Sequence, residues 1–342
     1  MTKKIIIVGA GIIGAAIAYH LRDAEVTVVD AGAVASGASG RSFGWINASF
    51  YADEAHHALR RVGITAWREL GMAVNWSGCL LWEGDLTAQE DHLTALGYPV
   101  QRLPRAEISA LEPAVAAPAE ALLLPDEGAV DAGQVAQTLL SKSGAKVVLG
   151  CPVEALVTKY DRVTGVRIAQ GEIAADQVIM AAGTGAEGLL ADIGVALPMA
   201  RRPATLVRSA PIAPLLKHVL VGPMGEVRQS PDGRLVVPAA IGHQGAQDDG
   251  VCRPDLVADA TIDRLAALLP GIPLRWEEVV QAMRPVPADG LPVIGAPREG
   301  LYVAVMHSGV TLAALTGRLV AAELAGRLSN MLGPYRPDRF QA

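Results

Sequence analysis

Cysteine is scarce: 342 residues hold three, Cys79, Cys151 and Cys252, far apart and without a CxxC pair. That excludes a disulfide framework and a cysteine-built zinc site, so no metal is expected, and it fits a reducing cytoplasm. Basic runs are missing, and the net charge of -6 argues against binding a phosphate backbone, so no nucleic-acid partner is expected. No apolar run reaches membrane-spanning length. The start, MTKK running at once into a strand and glycines, is not a signal peptide. There is no internal repeat, no low-complexity segment, no Ser/His/Asp triad and no carboxylate pair with an evident role.

What is present is a chain that is 51% hydrophobic and 19% charged. It fills a large core easily, and its length suits two domains. The mean hydropathy of +0.31 is high for a soluble protein. Alanine supplies much of it, and a peripheral contact at the inner membrane face or a partner subunit stays open.

The densest information lies in IIIVGAGIIGAAIAYHLRDAEVTVVD, residues 5–30. Ile5–Val8 reads as a buried parallel strand, Ala15–Leu21 as a helix, and Val26–Val29 as a second strand ending in Asp30. Between them Gly9, Gly11 and Gly14 have GxGxxG spacing. Gly9 permits the tight strand-to-helix turn. Gly11 lets a pyrophosphate approach the backbone, and Gly14 lets the helix pack on the strand. The helix N-terminus offers N–H groups to phosphates, and Asp30 can accept from a ribose. This pattern predicts a dinucleotide site.

Ala31–Phe50, rich in small residues, reads as a loop over a ligand. Helices are predicted at Glu54–Leu70, Gln89–Leu96, Arg105–Leu111, Ala132–Ser143 and Thr261–Leu269. Strands are predicted at Gly78–Trp82 and Ala121–Leu124 in a second unit, then at Lys146–Leu149, Val153–Thr158, Gly165–Ile168 and Gln177–Met180. Antiparallel-type strands follow at Arg202–Arg208, Leu220–Val221, Gly225–Gln229 and Arg234–Pro238, with Pro231-Asp232-Gly233 as a turn. Leu301–Met306 reads as a strand, and Thr311–Arg327 as a helix with Leu312, Leu315, Leu319 and Leu324 on one face. A second glycine cluster, Ala182-Gly183-Thr184-Gly185, follows an apolar strand, as where a chain leaves a nucleotide domain and returns to it.

With the third motif, AMRPVPADGLPVIGAPREGLYVAVMHSGVTLAALTGRLVAAELAG at 282–326, the chain resembles the D-amino-acid oxidase (DAO) superfamily of FAD enzymes. The resemblance is strong over 5–49, 176–186 and 282–326 and vague over 75–125 and 200–280. It implies an α/β fold: a Rossmann-like FAD domain from 1–75, 126–200 and 282–342, and a discontinuous substrate domain on an antiparallel sheet from 76–125 and 201–281. It implies that Gly9, Ala10, Gly11, Ile13 and Gly14 form the pyrophosphate turn and that Asp30, with Ala31, meets the ribose. It implies that Ser36, Gly37, Ala38, Ser39, Gly40, Arg41 and Ser42 lie along the pyrophosphate. Val153 matches the residue whose backbone pairs with adenine. Ala182 and Gly183 match the second nucleotide turn, and His307, Ser308, Gly309, Val310 and Thr311 the loop at the pyrimidine end of the flavin.

Arg284 matches the arginine that forks to a substrate carboxylate, for which a guanidinium has the right planar donor pair. Arg284, His307 and Asn47 are the catalytic candidates. Covalent family members attach flavin through a cysteine near this motif; Ala282 stands there, which implies non-covalent FAD. Tyr302 and Trp276 read as packing residues, His218 and His243 as ordinary polar residues, and Cys252 as a small buried residue. Arg228 and Gln229 neighbour each other on a strand of the substrate region with side chains pointing opposite ways, which makes one of them a candidate to line the pocket.

The implied reaction oxidises the C–N bond of a small-molecule substrate, an amino acid or N-substituted amino acid, to an imine by hydride transfer to flavin N5, followed by hydrolysis (EC 1.4 or 1.5). The electron acceptor would be oxygen, a quinone or a partner protein, and homo- or hetero-oligomers stay open. Two alternatives stand beside it. One is a 2-hydroxy-acid or polyol dehydrogenase with FAD. The other is a flavin subunit of a hetero-oligomeric amine dehydrogenase that is inactive alone.

Overall fold

The glycine-rich turn sits at the centre of a six-stranded sheet. In the computed structural model, which describes residues 2–240 and 253–341, strand Lys4–Val8 is flanked by Glu25–Val29 and Gln177–Met180, both parallel to it. Lys146–Val148 extends the sheet on one side. Leu301–Val305 and then Val293–Arg298 extend it on the other, the last strand antiparallel. The central strands are apolar on both faces, as a sheet covered on both sides requires. Ile7 and Val28 join a core under the helices Ile12–His20, Ala132–Ser143 and Gly309–Leu324. Ile6 and Val178 join another under the three-stranded meander of Val153–Lys159, Arg162–Ile168 and Gly171–Ala174.

An eight-stranded sheet carries the second layer. Its order is Trp276–Pro287, Met199–Ser209, Leu235–Pro238, Gly225–Gln229, Val219–Gly222, Cys79–Leu81, Glu120–Leu124 and Gln101–Pro104. Two distant stretches of chain thus meet in one sheet. All its pairings are antiparallel except Val219–Gly222 with Cys79–Leu81, where the two stretches join. A third core lies beneath it, covered by helix Pro254–Leu268.

Several expected boundaries shift for physical reasons. The first helix begins at Ile12, because Gly11 itself is the N-cap. The helix expected at Thr261–Leu269 starts at Pro254, a residue suited to the first helical position. Glu54–Leu70 keeps the expected limits: the Asp53 side chain caps the His56 N–H, and Gly71 ends the helix in the left-handed region. Strand Trp276–Pro287 was not expected. It carries two prolines and several charges, which an edge strand tolerates, and it lies at one edge of the large sheet. Within the small-residue loop, Trp45–Ile46 forms a short strand against Gly128–Ala129. Among the described residues no helix is long and apolar enough to cross a membrane. His243 and Cys252 lie outside the described residues.

Candidate active site

The cleft begins at the glycine turn. Gly9 has φ +113°, and a Cβ there would stand 2.4 Å from the Ala181 carbonyl oxygen. A Cβ on Gly14 would stand 2.0 Å from the Gly9 carbonyl oxygen. Both positions therefore require glycine for backbone packing. Gly11 differs: a Cβ there would meet only the Ser39 hydroxyl, at 3.1 Å, and the residue lines the cleft. Gly11, the N-cap of helix Ile12–His20, brings no capping side chain of its own, and the Ile12 N–H donates to Ser39 Oγ at 3.0 Å. Asp30 also lines the cleft. Its two carboxylate oxygens accept the Ala10 N–H at 2.6 Å and the Gly32 N–H at 2.7 Å, which fixes the carboxylate beside the turn. A bare backbone approach, a helix N-terminus with glycine at its N-cap and a fixed carboxylate suit a dinucleotide.

The clusters that are distant in sequence converge here. Ala181 touches the Gly9 turn, and Gly183 (φ +57°) faces Pro285, the neighbour of Arg284. Gly309 faces Ile13. Thr311 Oγ1 accepts the Asn47 N–H at 3.3 Å. Gly9, Gly11, Ile13 and Asp30 line one wall, and Ser36, Ser39, Arg41 and Ser42 line the facing loop. Ala182 and Gly183 line the cleft with Asn47, Arg284 and His307, and the run Ser308 to Thr311 completes it. Five expected residues fall outside the lining. Ala10 and Gly14 are buried behind the turn, and Ala31 is exposed. Gly40 packs on the Ala35 carbonyl, and Val153 opens the meander paired with Ile168.

Two buried charges escaped the sequence reading. Arg60, on helix Glu54–Leu70, is 3% exposed. Its Nε donates to the Asn47 carbonyl at 3.0 Å, Nη2 to Asn47 Oδ1 at 2.5 Å, and Nη1 to Ser308 Oγ. Burial lowers its pKa to about 10, so the guanidinium stays charged at neutral pH. Its signal was a cation on the apolar face that also carries Leu59, Ile64 and Trp67. Glu127 is fully buried and accepts from Trp45 Nε1 at 3.0 Å, Tyr98 OH at 3.0 Å, Ala48 N–H at 3.2 Å and Ser49 N–H at 3.1 Å. Burial pushes its carboxyl up to about 7, against these stabilising donors. In the sequence it looks like a turn residue.

At the other end the large sheet supplies the wall. Thr205, Leu206 and Glu226 line the cleft with Arg284, and only Arg284 was expected. Arg284 is moored to its neighbour strand, Nε to the Arg202 carbonyl and Nη2 to the Pro203 carbonyl, each at 3.3 Å. Ala282 lines the cleft, and no cysteine does among the described residues. Neither Arg228 nor Gln229 lines it. Arg228 reaches the Phe43 carbonyl, and Gln229 braces the Leu215–Leu216 backbone. Tyr302 donates to Glu323, Trp276 to Asp259, and His218 pairs with the buried Glu112, all away from the cleft.

The comparisons with known proteins agree with this geometry. A family model described as DAO, FAD dependent oxidoreductase, matches residues 4–323. The chain is similar to glycine oxidase of Geobacillus kaustophilus, 28% identical with 92% of this chain and 91% of the relative covered. It is similar to D-amino acid dehydrogenase of Paramagnetospirillum magneticum, 26% identical with 95% and 96% covered. The solved structure of glycine oxidase from Geobacillus kaustophilus superposes with a TM-score of 0.85, at 26% identity and 99% coverage of both chains.

Proposed function

Because the chain belongs to the DAO family of FAD-dependent oxidoreductases, we propose that it oxidises the C–N bond of an amino acid or N-substituted amino acid to an imine. The family cofactor fits the residues present: the Gly11 backbone leaves room for a pyrophosphate, and the Asp30 carboxylate, an acceptor suited to a ribose hydroxyl, lines the same cleft. When bound, FAD supplies the two-electron acceptor for the hydride that leaves the substrate α-carbon.

Arg284 carries the reading. It lines the same cleft as the glycine turn, next to the second nucleotide turn, with its guanidinium moored on two carbonyls. A moored guanidinium grips a carboxylate through paired charge-assisted bonds and holds the α-carbon in one orientation. The neutral amine nitrogen donates its lone pair into the forming C=N bond as the α-hydrogen leaves with its electron pair, and a proton lost from nitrogen to solvent then gives the neutral imine. Water then adds to the imine and releases the oxo acid and the amine. The uncapped N-terminus of helix Gly309–Leu324 and the Arg60 cation behind Ser308 place positive potential at this end of the cleft. Names among the relatives, glycine oxidase and D-amino acid dehydrogenase, support the same substrate class.

The test is a panel of amino acids, N-alkyl amino acids and 2-hydroxy acids mixed with the purified flavoprotein without oxygen. Bleaching of the flavin by carboxylate-bearing amines is expected. Bleaching by 2-hydroxy acids alone would replace amine oxidation with alcohol oxidation.

A further inference from the structure

A second cavity opens from the substrate end of the cleft. Arg60, Arg284, His307 and Ser308 line both spaces, so the two meet at these side chains. Beyond the junction the second cavity is walled by Arg202, His56 and Tyr51. Among its described lining residues there are three arginines and no carboxylate.

The arginines are not scattered surface cations. Arg202 and Arg284 are direct cross-strand partners in the pair formed by Met199–Ser209 and Trp276–Pro287. Opposed residues project from the same face of a sheet, with Cβ atoms about 4.5–5.5 Å apart, and like charges there repel. Arg60 adds a charge that is buried on the third side. His56 adds a neutral donor. Its Nδ1 accepts the Ala52 N–H at 3.2 Å, which leaves the ring proton on Nε2, a buried atom with no hydrogen-bond partner among the described residues. Burial and the nearby Arg60 hold its pKa at about 4, so the ring stays neutral. A wall of cations and N–H donors favours an anion.

A carboxylate held by Arg284 would occupy the junction, and Arg202 lines the cavity that continues beyond it. We propose that the substrate carries a second carboxylate, read by Arg202 in the adjoining cavity, so that the enzyme acts on dicarboxylic amines. Acidic amino acids and N-(carboxyalkyl) amino acids belong to this class. The inference rests on the proposed amine oxidation for the identity of the first carboxylate.

The holoenzyme is titrated with acetate, propionate, malonate and succinate while the visible flavin spectrum is recorded. The dicarboxylates should bind at least about tenfold more tightly than the monocarboxylates. Arg202→Gln should bring that ratio toward one, and Arg202→Lys should keep part of it. Arg167→Gln, which removes an exposed cation paired with Glu172 in the meander, should leave the ratio where it was and so controls for net charge. Equal binding of both ligand classes by the native enzyme overturns the proposal. So does equal weakening of both classes in Arg202→Gln, which is what a merely structural arginine in the strand pair would give. Anaerobic bleaching by aspartate and iminodiacetate, against glycine, sarcosine and proline, forms the second arm. Bleaching by the monocarboxylic amines with no dicarboxylate preference sinks the second anion and leaves amine oxidation intact. A dicarboxylate preference without bleaching by any amine supports the anion pocket and sinks amine oxidation.

Discussion

Arg60 and Asn47 are joined twice, through the Asn47 backbone carbonyl at 3.0 Å and its side-chain oxygen at 2.5 Å. The remaining guanidinium nitrogen reaches Ser308, the N-cap of helix Gly309–Leu324. One buried cation therefore ties a helix from early in the chain to the two cleft walls that come from the loop and from the C-terminal motif. Glu127 holds the same loop from its other side, through Trp45, Ala48 and Ser49.

Arg60→Met keeps much of the volume but strips three acceptors of their donor. Each buried acceptor left unsatisfied costs about 1–3 kcal/mol. We expect a clearly lower melting temperature and FAD affinity reduced by at least about tenfold. Arg60→Lys should recover only part of both, since an ammonium cannot span the three acceptors. A variant that melts like the native protein and keeps its flavin would show that the tie holds nothing.

Gly11 and Gly14 should fail in different ways. Gly14→Val drives a side chain into the Gly9 carbonyl and should yield no soluble folded protein. Gly11→Val meets only a serine hydroxyl, so the chain should fold with a native circular dichroism spectrum. It should be colourless, because the valine occupies the space of the pyrophosphate. A yellow Gly11→Val protein with full FAD occupancy would move the nucleotide elsewhere.

The flavin should be held without a covalent bond. Ala282 lines the cleft where covalent relatives are expected to place a cysteine, and no cysteine lines it among the described residues. Acid precipitation of the yellow protein should release the colour into the supernatant. Flavin in the washed pellet would contradict this.

How legible each feature was in the sequence follows from how local its cause is. The glycine turn was readable because the clash at Gly14 is with Gly9, five residues away. Helix Glu54–Leu70 was readable because its cap and its stop lie at its own ends. The edge strand Trp276–Pro287 was not, because its strand neighbour among the described residues, Met199–Ser209, lies far back in the chain. Arg202 opposes Arg284 by that same pairing, across 82 residues, and no local pattern announces it. Glu127 is buried by Trp45, Tyr98 and the 48–49 backbone, which the fold alone brings to it.

The buried carboxyl predicts a pH dependence with a definite sign. The Glu127 pKa rises from 4.5 to about 7, so the folded state holds the proton more tightly than the unfolded chain. The stability this gives is full below pH 4.5 and is lost as pH rises through about 7. His56 acts oppositely, from 6.5 down to about 4, giving stability above pH 6.5 that is lost as pH falls through about 4. The two offset each other in the native protein at mildly acid pH. Glu127→Gln removes one of them. From about pH 5 to about pH 8 the native protein should lose stability relative to Glu127→Gln, by on the order of 3 kcal/mol. Urea melts of both proteins across that range decide it, and a constant gap would mean that Glu127 does not titrate there.

Arg284 offers the sharpest test of the proposed chemistry. If its guanidinium grips the substrate carboxylate, Arg284→Ala removes a charge-assisted bidentate contact, at a cost on the order of 2–5 kcal/mol. At about 1.4 kcal/mol per decade that is roughly thirty-fold to a few thousand-fold in kcat/KM. Arg284→Lys should recover only part of the loss, since an ammonium cannot reproduce the fork. The flavin should stay bound with a near-normal spectrum, because the turn that would take the pyrophosphate is built from Gly11, Ser39 and Asp30 and does not use the Arg284 side chain. A purely structural arginine predicts the reverse: Arg284 donates to the Arg202 and Pro203 carbonyls, and losing those bonds would lower the melting temperature while the surviving protein turned over normally. Steady-state kinetics beside a melting curve separate the two. Unchanged kcat/KM for a carboxylate substrate in well-folded Arg284→Ala would remove the residue from the site, and with it the reading of the substrate as an amino acid.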